Sequence, residues 1–114
     1  MSNHFLKNIE FEKGLYLCDL VEYQPGQVVS RTLVQNGAVS ITLFSFDEGE
    51  EISSHSSTGD AMVTIMEGTA LITIGETKHE VSAGQTIVMP AGIPHALEAK
   101  TRFKMLLTVV FPLK

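Results

Sequence analysis

The chain has no tryptophan, a single cysteine, and only eight lysines and arginines against thirteen acidic residues, for a net charge of −5. Each shortage removes a class of function. Cys18 alone cannot close an internal disulfide, and a buried free thiol is the simpler reading of it. The few basic residues are scattered, so no patch is available to neutralise phosphates, and nucleic acid is not expected as a partner. The longest apolar run, Met105 to Phe111, is too short to span a bilayer and is interrupted by Thr108. The opening Met1-Ser-Asn-His-Phe-Leu-Lys7 has no apolar stretch fit for a signal peptide. These features point to a cytoplasmic protein with no membrane partner. Sustained helical periodicity is missing too, and only Asn8 to Lys13 reads as a short helical turn.

What remains is a pattern of short strands. The 114 residues suit one domain, which at this size buries roughly two thirds of its unfolded surface. Residues 1–27 read as a lead-in ending in the turn Gln24-Pro25-Gly26-Gln27, where Pro fixes φ and Gly accepts positive φ. Val28 to Val34 is rich in β-branched residues. Asn36-Gly37 is the strongest hairpin signal in the chain. Val39 to Phe46 then alternates, with Val39, Ile41 and Leu43 on one face and Ser40, Thr42, Phe44 and Phe46 on the other. Asp47 to Glu51 is a short acidic rim. Further strands are expected over Ala61–Met66, Thr69–Ile74, Lys78–Val81, Gln85–Met89, His95–Ala99 and Phe103–Phe111, with Gly or Pro turns between most of them. This spacing predicts an all-β sandwich or barrel.

Two stretches inside that pattern carry chemistry. Gly49, His55 and Gly68 fit G-x5-H-x-H-x3-4-E-x6-G in part. Gly84, Pro90, Gly92 and His95 fit G-x5-P-x-G-x2-H-x3-N at four positions in register, with Ala99 in place of the closing Asn. On these residues the chain resembles the cupin superfamily, in its small single-domain bacterial form, over about residues 38–110. The resemblance implies a double-stranded β-helix, the jelly-roll barrel. It also implies a metal site in the barrel mouth, made from two His and a Glu of the first motif and a His of the second.

Residue by residue, His55 takes the first ligand position and His95 the last. Ser57 stands where the second His belongs, and Ala61 where the Glu belongs. A neutral hydroxyl is a poor ligand for a divalent cation and Ala is none, whereas catalytic metal sites usually keep at least three protein ligands. Asp60 could restore a third. A regular strand would point it away from His55, but a bulge at Gly59 would shift the phase by one residue. His55, Asp60 and His95 would then resemble an open two-His-one-carboxylate centre for a divalent transition metal such as Fe, Mn, Ni or Zn. The competing reading has Asp60 accepting backbone hydrogen bonds in the Ser56–Gly59 turn, with no metal. His79 and His4 read as surface residues. Met62, Met66, Met89 and Met105 could line an adaptable apolar pocket. Arg31 or Arg102 could hold a carboxylate or form a rim ion pair.

Three functional readings stay open. The first is a small-molecule-binding cupin whose site is built on His55, His95, Asp60 and Ser57. The second is a metal-dependent oxygenase, isomerase or decarboxylase with a reduced ligand set. The third is a structural dimer module with a vestigial pocket. A homodimer is expected on separate grounds. Residues 1–34 hold more apolar side chains than a lead-in needs, and their strands could cross to a twofold partner.

Overall fold

The computed structural model describes residues 4–113, so the first three residues of the expected lead-in lie outside the described residues. Nine strands follow one 3-10 turn at Leu17–Leu20. They are β1 (Val28–Gln35), β2 (Val39–Phe46), β3 (Glu51–His55), β4 (Asp60–Glu67), β5 (Thr69–Ile74), β6 (Thr77–Ser82), β7 (Thr86–Met89), β8 (His95–Glu98) and β9 (Phe103–Val110). One sheet runs β1-β2-β9-β4-β7 and the other β3-β8-β5-β6, every pairing antiparallel. No helix among the described residues is long and apolar enough to cross a membrane.

Alternation decides which side chains fill the space between the sheets. Phe46, Ala61, Val63, Ile65, Ile72, Leu97, Phe103 and Met105 are buried there. The Phe46 and Phe103 rings stack with centroids 4.4 Å apart. The glycine that ends β4 is set by geometry. Gly68 has φ +77°, and a Cβ there would overlap the Arg102 carbonyl.

The opposite parity of β2 and β9 faces outward and meets the N-terminal segment. Leu43 and Ile41 of β2 and Leu106 of β9 pack with Leu33, Val21, Ile9, Leu17 and Leu20 in a second core. Polar contacts pin this strap. Lys7 N–H donates to the Leu33 carbonyl, Arg31 to that of Leu20, Ser45 Oγ to that of Glu22, and Lys104 Nζ to that of Cys18.

Residues 4–27 form no strand and lie over their own sheet, while β1 pairs with β2 of the same chain. The physical reason is the outward apolar row of β2 and β9, which this segment covers. Asn8 to Lys13 is not helical either. Asn8 and Glu12 both adopt positive φ, which breaks a helical turn. The expected turn at Gln24–Gln27 does form, closed by Gln27 N–H on the Gln24 carbonyl.

Candidate functional site

The site lies where β3 and β8 meet. Ile52 pairs with Leu97 and His55 with His95, so two residues of β3, Ser53 and Ser54, oppose the single residue Ala96 of β8. This is a bulge, and it is what aims His55. In a regular strand Ile52 and His55, three apart, would point to opposite faces. The extra residue turns His55 to the same face as Ile52 and brings it against His95. The two imidazoles stand edge to face, with centroids 4.4 Å apart and planes at 71°.

The surrounding loops hold this arrangement. Gly92 N–H donates to the Ser57 carbonyl, and Gly75 N–H to that of Pro94. Asp60 Oδ1 accepts from Ala91 N–H at 2.8 Å. Asp60 therefore braces the Pro90–Pro94 loop that delivers His95. No register shift occurs at Gly59–Asp60, since β4 pairs regularly with β9 from Asp60 onward and first slips after Ile65. β3 does slip at Ser53–Ser54, where the shift serves His55. Asp60 stays on the outward parity, exposed, while Ala61 beside it is buried.

His55 and His95 open onto a cavity of about 260 Å3, also lined by Phe44, Ile52, Ser57, Ala61, Met89, Leu97, Met105, Leu107 and Val109. The structure thus brings His55, His95 and Ser57 together and leaves Asp60 out of the lining. Of the four methionines considered, Met89 and Met105 face the cavity, Met62 is exposed, and Met66 packs under the N-terminal strap. A more open depression of about 600 Å3, lined by Asn36, Gly37, Thr58, Phe111, Pro112 and Leu113, presents no titratable side chain. Arg102 pairs with Asp47 at 3.5 Å, Arg31 is spent on the strap, and His4 stacks on Phe11. His79 sits half-buried on the edge strand β6, away from the cavity lining.

Backbone carbonyls set the chemistry of the pair. His55 Nδ1 lies 3.0 Å from the Ser53 carbonyl and His95 Nδ1 lies 3.3 Å from that of Ile93. A carbonyl only accepts, so each contact places a proton on Nδ1 and leaves the lone pair on Nε2. His95 is 3 % exposed. Burial holds its pKa below the usual imidazole value and the neighbouring His55 pushes it further down, against a smaller upward effect of the Ile93 hydrogen bond. The pair therefore offers two acceptors in an otherwise apolar pocket. Sequence reasoning found both histidines but not these carbonyls, because neither Ser53 nor Ile93 carries a side-chain signal for the role.

A divalent ion fits this set poorly. Among the described residues no group of three or more His, Cys, Asp or Glu side chains could hold a metal ion. Ser57 Oγ accepts from Gly59 N–H, and Ala61 offers no donor atom. The two imidazoles are the only nitrogen ligands in the lining, and no carboxylate accompanies them.

Two facing sheets with paired motif strands at one open end define a double-stranded β-helix with a mouth site. Residues 42–111 match the family model described as a cupin domain, and the chain belongs to the cupin family. It is similar over its whole length to a conserved protein of unknown function from Streptococcus pyogenes, with 53% identity, full coverage of both chains and a TM-score of 0.97. It is similar to a cupin superfamily protein from Desulfitobacterium hafniense DCB-2, with 37% identity over 94% of this chain and 98% of that one and a TM-score of 0.89. A salicylate 1,2-dioxygenase variant from Pseudoaminobacter salicylatoxidans shares the fold alone, at 16% identity and a TM-score of 0.68 over 73% of this chain and 26% of that one. No curated protein matches the sequence.

Proposed function

We propose that the chain is a small-molecule-binding cupin that grips one polar group between His55 and His95. The observation that carries this reading is the shared tautomer. Two Nε2 lone pairs stand at the mouth of an apolar cavity that has no lysine or arginine in its lining. Such a site favours a hydrogen-bond donor on a compact apolar body, such as a hydroxyl on an aromatic or aliphatic frame. A carboxylate or phosphate would meet two acceptors and no cation. The cavity is smaller than those that hold drug-sized ligands, so the occupant is small.

Calorimetry on metal-free protein with phenol and benzyl alcohol, against benzoate as the anionic control, tests this reading. Both hydroxyl probes are expected to bind and benzoate to fail. His95→Ala is expected to weaken phenol by at least tenfold, about 1.4 kcal/mol, while the protein still unfolds cooperatively. Failure of both hydroxyl probes would reject the reading. A collapse of stability with unchanged phenol binding would make His95 a packing residue instead.

We also infer a homodimer. The support is the outer face of β4, β7 and β9, where Met62, Val88 and Val110 are 43 %, 51 % and 59 % exposed. Met62 and Val88 are direct cross-strand partners, so these side chains form one patch rather than isolated apolar residues.

A further inference from the structure

We propose that Asp60 is a positioning residue for the mouth site: from outside the cavity it holds the Pro90–Pro94 loop so that His95 keeps its direction and its tautomer. This rests on the reading of the histidine pair as a binding site and deepens it by naming the group that sets that site. Every N–H of the loop has a partner. Ala91 donates to Asp60 Oδ1 at 2.8 Å, Gly92 to the Ser57 carbonyl at 2.8 Å, and Ile93 to the Pro90 carbonyl at 3.3 Å. Pro90 and Pro94 have no N–H to place, and the Pro94 carbonyl accepts from Gly75 N–H. Asp60 supplies the one side chain among these partners, so its contact is the one that a substitution can remove.

The lengths of these bonds show what holds the loop. Pro90 to Ile93 form a turn with φ +77° at Gly92, the position where a type II turn calls for glycine. Its closing bond is 3.3 Å, and the bond from His95 Nδ1 to the Ile93 carbonyl is also 3.3 Å, both beyond the usual range. The two shorter bonds come from outside the turn, from Asp60 and Ser57. That clamp has a rigid base. Asp60 begins β4 and pairs with Val110. Gly59 lies so close to β9 that a Cβ there would stand 2.5 Å from the Val110 carbonyl oxygen, and its N–H donates to Ser57 Oγ. With Ala91 released, the Ile93 carbonyl loses its fixed place, and with it goes the contact that keeps the His95 proton on Nδ1.

Nitrogen NMR of isotope-labelled, metal-free protein at about pH 8, where imidazoles are neutral, reads the tautomer of His95, whose signals are those missing from His95→Gln. The parent is expected to show a bare Nε2 and a protonated Nδ1. Asp60→Ala should draw the two nitrogen signals toward each other as the tautomers mix, and should weaken phenol at least fivefold, about 1 kcal/mol, by calorimetry. Asp60→Asn, which keeps an acceptor oxygen, should restore the parent spectrum and the parent affinity. A parent-like spectrum in Asp60→Ala would overturn the proposal, as would Asp60→Asn behaving like Asp60→Ala. If Asp60→Ala does not fold, Asp60→Glu, whose oxygens sit one methylene further out, carries the same expectation and the same refutation. The spectrum needs no ligand, so the two readings fail separately. If phenol does not bind the parent while Asp60→Ala mixes the tautomers, the small-molecule reading falls and Asp60 keeps its role; if phenol binds and the tautomer does not move, Asp60 loses it.

Discussion

His55 and His95 show how little a residue's type says about its task. They are cross-strand partners in ring contact, yet one is exposed and the other nearly sealed. This asymmetry gives the metal-free protein a pH dependence of stability. Burial and the adjacent His55 depress the pKa of His95 in the fold, whereas in the unfolded chain it returns to about 6.5. Below that pH the unfolded chain binds the proton first, so stability is level above about pH 6.5 and falls as the pH drops toward the depressed folded value. Urea midpoints measured from pH 8 to pH 5 should show this decline, and His95→Gln should flatten part of it. An unchanged profile in His95→Gln would mean that other groups set the slope. Ser57 and Ala61 give a second test at this scale. Both line the cavity, so Ser57→His with Ala61→Glu should aim two added ligands inward. Zn(II) affinity by calorimetry should rise at least tenfold, and the metal-free double mutant should melt lower because it buries a carboxylate among apolar side chains. No gain in affinity would show that the two positions do not converge on the histidines. The parity of these residues was legible from the motif spacing. The direction of Asp60 is left open there, because a one-residue shift in phase is invisible until the strand pairing is known.

Among the elements, the long strands were readable and the one that matters most was not. β2 announces itself by alternation and β4 and β9 by their apolar runs, and each lies within a residue or two of its expected bounds. β3 carries one half-buried apolar residue, Ile52, among exposed ones, so no period marks it. Its bulge leaves no sequence signal stronger than two adjacent serines. The bulge can be tested by shortening. Removing Ser54 alone should convert β3 into a regular strand in which Ile52 and His55, now two apart, still share a face. Phenol affinity should then stay within about threefold of the parent, or about 0.7 kcal/mol. Removing Ser53 and Ser54 together makes Ile52 and His55 neighbours on opposite faces, and binding should be lost while the second sheet still forms. Equal binding by both shortened proteins would show that pairing with β8 does not aim His55.

For the whole molecule, the apolar excess of the first third was legible; part of it packs on the chain's own sheet, while Phe5, Leu6, Phe11 and Tyr16 stay exposed. Ile9, Leu17, Leu20, Val21, Val29 and Leu33 are spent on the chain's own outer face, tied down by backbone and side-chain hydrogen bonds. Composition alone does not say which apolar side chains of the segment pack on its own sheet and which stay outside. The fold-back covers the β1-β2-β9 end of the five-stranded sheet and leaves the β4-β7 end open. There Val88 and Met62 pair directly, Met62 also pairs with Thr108, and Val110 lies at the next outward position of β9. Thr64 and Thr86 extend the row and are linked through their hydroxyls at 3.0 Å. Asp60, opposite Val110, sets a carboxylate at the end of this row, where Ala91 N–H engages it; the side chains named carry no charge, and such a row on an outer sheet suits a twofold contact in which each copy presents the same patch. Size exclusion with light scattering at micromolar concentration should therefore give twice the mass of one chain. Met62→Lys should shift the protein toward single chains. Because Met62 is exposed and contributes to neither core cluster, its replacement should cost the isolated fold little, within about 0.5 kcal/mol. A single-chain mass for the parent across that concentration range would sink the dimer, and an unchanged dimer in Met62→Lys would move its interface off this face.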